Sequence, residues 1–60
     1  MLTPEDMISN AERVLGKVAR TIGEEILKEY GEKGFKENYI GRIAKITGNT
    51  VLARNIVEAE

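Results

Sequence analysis

Sixty residues form at most one small domain, and a chain of this length buries only ~60% of its unfolded surface, so its core needs support from outside. The absence of Cys and His excludes disulfides, the familiar zinc sites and most nucleophilic or imidazole-based catalysis, which leaves oligomerisation as the expected support. A net charge of −1 excludes binding to nucleic acid through overall charge alone.

Charge is unevenly distributed. Residues 1–33 carry seven acids and five bases, whereas residues 34–57 carry Lys36, Arg42, Lys45 and Arg54 against Glu37 alone. No apolar run approaches the ~20 residues of a membrane span, and no secretory signal opens the chain; the expectation is a cytoplasmic protein without membrane contact. Glu, Lys and Ile are abundant while Cys, His, Gln and Trp are absent, a thermophile-like bias.

The first element starts at "LTPED". Thr3 is suited to cap, Pro4 has the fixed φ favoured at the first helical position, and Glu5 and Asp6 complement the helix dipole. Leu2 and Met7 stand at the ends of a hydrophobic staple. Ile8, Ala11, Leu15, Val18, Ile22 and Ile26 then recur at steps of three and four, which predicts one long amphipathic helix from Pro4 to Tyr30. Gly16, Ala19 and Gly23 form a small-residue stripe beside that face, a place for close approach of a second backbone. Ile8, Leu15, Gly16, Val18, Ala19, Ile22, Gly23 and Ile26 are therefore the expected association face. Arg20 with Glu24 and Glu24 with Lys28 are spaced to pair on the outside. Gly31 is expected to stop this helix, and Gly34 to break the chain again.

In the second half Phe35, Tyr39, Ile43 and Ile46 have helical spacing, with Ile40 and Ala44 beside them, although Gly41 weakens the pattern. Gly48, Asn49 and Thr50 compose a turn, with Asn49 or Thr50 capping a last helix from Val51, whose Leu52, Ile56 and Ala59 share one side. The competing expectation is a short β-hairpin at Gly48-Asn49, because Ile46, Thr47, Thr50 and Val51 favour strands. Helical spacing on both sides of the turn favours an all-α chain: a long helix and two shorter ones in a helical bundle that associates with copies of itself.

From Ile40 to Ala59 this half resembles a helix-turn-helix, on Ile43 and Ala44 in its first helix and Gly48 at the turn. It departs from that pattern at Asn49, where an apolar residue is expected, and at Arg54, which falls at an inward position. The resemblance implies Arg54 and Asn55 at base edges, with Arg42 and Lys45 at phosphates.

No phosphate loop or nucleophile-base pair occurs, so the chain is expected not to be an enzyme, and no catalytic, cofactor-binding or metal residue is assigned. "NIVEAE" carries no helix stop, from which residues 1–60 are read as one module cut from a longer chain. The leading expectation is a homo-oligomerisation or protein-interaction module of a larger regulatory or structural protein, its partner a second copy, another protein or the remainder of the parent. DNA binding through the basic second half is the alternative.

Overall fold

The computed structural model describes residues 2–59, which form three helices: α1 (Pro4–Leu15), α2 (Lys17–Thr47) and α3 (Thr50–Val57). The fold is all-α, and no strand occurs among the described residues, which removes the hairpin at Gly48-Asn49.

Helix α1 begins where the cap residues place it. The Asp6 N–H donates to Thr3 Oγ1 at 3.1 Å and the Thr3 N–H donates to Asp6 Oδ2 at 3.0 Å, a reciprocal capping box. Met7 is buried and Leu2 packs against the core beside it.

The expected single helix from Pro4 to Tyr30 is interrupted at Gly16. There φ is +83° and ψ is −164°, a conformation essentially restricted to glycine. The Gly16 N–H closes α1 on the Glu12 carbonyl at 2.8 Å, and the Gly16 carbonyl accepts the Ala19 N–H at 3.0 Å, so one residue both ends α1 and opens α2. The chain reverses, and Ile8 of α1 comes to lie against Gly23 of α2. A Cβ on Gly23 would stand 2.5 Å from Ile8 Cγ1 and 3.3 Å from Tyr39 Cε1, so the absent side chain is what lets α1 seat on α2.

Gly31 departs from helical geometry as expected, with φ +74°, yet α2 resumes at once and continues to Thr47 as a second arm. Gly34 does not break it; the Gly34 carbonyl accepts a hydrogen bond from Asn38 Nδ2 at 2.7 Å inside that arm. Phe35, Tyr39, Ile40 and Ile43 of the second arm pack over Met7, Ile8 and Ala11 of α1 and over Ala19 and Ile26 of the first arm. The Phe35 and Tyr39 rings lie 4.9 Å apart. The Tyr39 hydroxyl donates to the Ala19 carbonyl at 2.7 Å, and burial pushes its pKa up to about 12, so it remains a donor throughout the physiological range.

The last corner is built locally. Gly48 adopts the left-handed conformation, φ +75° and ψ 17°, and its N–H donates to the Ala44 carbonyl at 2.7 Å. Asn49 then caps α3, its Oδ1 accepting the Leu52 N–H at 3.0 Å, and the helix starts at Thr50, one residue before the expected Val51. Ala53, Ile56 and Val57 close the core. The end of α3 is held by Asn10, whose buried amide donates to the carbonyls of Val57 and Ala59; Ala59 itself lies beyond the helix.

The folded chain exposes 3999 Å², close to the ~3900 Å² of a closed monomer of 6.7 kDa. The second half of the chain thus covers the apolar face of the first, a task the sequence reading gave to another molecule.

Candidate association surface

The expected association residues divide into three groups. Ile8, Ala19, Gly23 and Ile26 are buried within the chain, and Leu15 and Ile22 are half-buried against the same core. Gly16 sits exposed at the corner and Val18 is exposed beside it. In this fold the face runs into the core of a single copy, so the apolar surface open to a partner lies elsewhere.

That surface comprises Val14 and Val18 around Gly16, Tyr30 before Gly31, and Ile46, Val51 and Leu52 around Gly48-Asn49. The last group is the densest: within seven residues of chain, Ile46 is 47% exposed, Val51 70% and Leu52 46%. Sequence reasoning treated Leu52 as inward-facing and left Val14 aside. A hint was present in Val14, which is out of phase with Ile8, Ala11 and Leu15.

In the first half one cation gathers three carboxylates. Arg20 binds Glu12 at 2.6 Å and Glu5 at 2.9 Å, with Glu24 at 3.8 Å as its spacing predicts, and the Arg20 guanidinium holds the Glu5 carboxyl below its ordinary pKa. No Glu24–Lys28 pair occurs among the described residues. In the second half Glu58 accepts from Lys36 at 2.7 Å and from Arg54 at 3.4 Å, and Arg54 also reaches Glu37 at 3.3 Å. Arg54 is therefore engaged by two carboxylates, whereas Asn55 is exposed and Arg42 and Lys45 have no carboxylate within 4 Å among the described residues. The four residues assigned to nucleic acid are thus three open side chains and one tied to acids.

Arg42 and Lys45 line a groove of about 270 Å³ between the two arms of α2. With Glu37, Asn38 and Gly41 they form one wall; Ile26, Glu29 and Tyr30 form the other. No group of His, Cys, Asp or Glu side chains suited to a metal occurs among the described residues, and no helix among them is long and apolar enough to cross a membrane.

The class that the fold defines is a three-helix all-α module with a bent central helix. Comparison of the chain with protein-family models, with curated proteins and with solved structures finds no match.

Proposed function

We propose that the chain is a non-enzymatic association module that pairs with a second copy of itself, and that it serves the assembly of a larger regulatory or structural protein in the cytoplasm. One observation carries this reading: Ile46, Val51 and Leu52 cluster at one corner and stay outside a core that closes without them. Full burial of such a side chain contributes about 1.5–3 kcal/mol, and with 46–70% of each still exposed, roughly half of that or more remains to be gained by a contact at this corner. Ile46 adjoins the unpaired cations of the groove, which adds charge to the apolar contact.

Replacing Val51 and Leu52 together by Glu tests the proposal. Both positions are exposed, so helicity should persist while association disappears. A double variant that associates as well as the parent chain contradicts the assignment of this corner.

A second reading, DNA binding, draws on the helix-turn-helix arrangement of α2 and α3 around Gly48-Asn49 and on the open cations Arg42 and Lys45. Against it stand the two carboxylates on Arg54, which a phosphate or base would have to displace. A gel shift on duplex DNA that is present at low salt and lost steeply as salt rises would favour it.

A further inference from the structure

From the groove between the two arms of α2 we infer how the second copy sits: it packs about a two-fold axis with each copy's Glu29 wall against the other's Arg42 and Lys45. The inference rests on the association reading and deepens it. Glu29 on one wall and Arg42 and Lys45 on the other border the same groove, yet no ion pair joins them within the chain, while Glu37 beside Arg42 and Lys45 is engaged by Arg54. A surface that carries both signs side by side, unpaired, is complementary to itself after a half-turn, which is the requirement of an isologous dimer. Each exchange then occurs twice, so a single substitution breaks two contacts.

Gly41 supports the same arrangement independently. It lies in the middle of the second arm, exposed, where a glycine is less favourable than alanine, and a Cβ there would meet nothing within 4 Å. Nothing within the chain requires the missing side chain. The open space at this position lets the partner's helix approach closely. Tyr30, half-exposed on the opposite wall, supplies an aromatic contact to the approaching copy.

The test is a mixing experiment on the full chain. Glu29→Lys leaves both walls with only cations unpaired, since Glu37 is held by Arg54; Arg42→Glu with Lys45→Glu makes both walls acidic. Each variant alone should lose self-association by about tenfold or more, and an equimolar mixture should recover a mixed dimer, seen by sedimentation at low ionic strength and weakened by added salt. Gly41→Leu supplies a reading that misfolding cannot imitate: a higher melting temperature of the isolated fold together with lost association. If the parent chain associates while all three variants associate equally well and only Val51→Glu with Leu52→Glu abolishes it, the groove is not the interface and the association reading stands. If the parent chain stays monomeric at every concentration, both fail.

Discussion

The corners at Gly16 and Gly48 reverse the chain by different means. At Gly48 the turn itself is built locally, from a left-handed glycine, the Asn49 cap on Leu52, and the Thr47 hydroxyl donating to the Ile43 carbonyl at 3.1 Å and accepting the Asn49 N–H at 3.3 Å, and the pairs Lys36–Glu58 and Arg54–Glu37 only add to it. At Gly16 no side chain caps α2, and the corner is clamped instead by Arg20 reaching back across it to Glu12 and Glu5 on α1. A locally built corner is written in consecutive residues; a clamped one is written in residues eight and fifteen apart. The difference teaches where local reading of this sequence succeeds and where it fails.

The largest difference between the corners should appear on replacing their glycines. Gly16→Ala places a side chain in a backbone region nearly closed to it, with open space around the Cβ, so the loss is purely conformational and amounts to about 1–3 kcal/mol. Gly16→Leu should likewise destabilise, since the residue is not inside a helix and has no helix propensity to gain. Gly48→Ala enters the left-handed region at a smaller loss of about 1–2 kcal/mol. Thermal unfolding should rank the two glycine-to-alanine variants in that order, with 1 kcal/mol corresponding to roughly 4–8 °C in a domain this small. Equal shifts would show that the clamp at Gly16 relaxes around the new side chain.

Caps come next. Thr3→Ala and Asn49→Ala each remove an N-cap worth about 1 kcal/mol, and Asn49→Ala should increase amide exchange at Leu52 while leaving the Gly16 corner protected. Loss of protection at both corners would mean that they open as one unit.

Acid and salt produce the smallest separation. Arg20 holds the Glu5 carboxyl, the Thr3 N–H the Asp6 carboxyl and Lys36 the Glu58 carboxyl below their ordinary values. A carboxylate lowered in the folded state contributes stability that is complete above the unfolded value and is lost as pH falls through the folded one. Melting temperature should thus be level above pH ~5 and decline through and below the ordinary carboxylate range. Arg20→Met should flatten the part due to Glu5, and high salt should loosen both corners to a similar small extent, because exposed ion pairs cross each of them: Arg20 to Glu5 and Glu12 at Gly16, and Lys36 to Glu58 with Arg54 to Glu37 at Gly48. A melting temperature that rises on acidification would contradict these pairings.

Much of the architecture is legible residue by residue. The sequence Thr3-Pro4-Glu5-Asp6 announces a helix start, Gly48-Asn49 announces a turn and a cap, and Phe35, Tyr39 and Ile43 mark a buried face by spacing alone. Gly16 was hidden because the reversal there keeps the apolar rhythm: Ile8 and Ala11 before it and Ala19, Ile22 and Ile26 after it all face one core whether the chain runs straight or doubles back. The site was less legible for a related reason. Periodicity shows that a face is apolar and leaves open which molecule covers it; here Tyr39, Ile40 and Ile43 of the same chain cover Ile8 and Ile26. The exposure of Val51 and Leu52 follows from where α3 docks, through Ala53, Ile56 and Val57, and no local pattern encodes that docking.

Association of an already folded chain is the central claim, and sedimentation equilibrium of the unmodified protein over about three decades of concentration tests it most directly. The weight-average mass should climb from the 6.7 kDa of one chain towards twice that value, with helicity constant across the range. A mass that stays at one chain throughout, with a melting temperature independent of concentration, would contradict it.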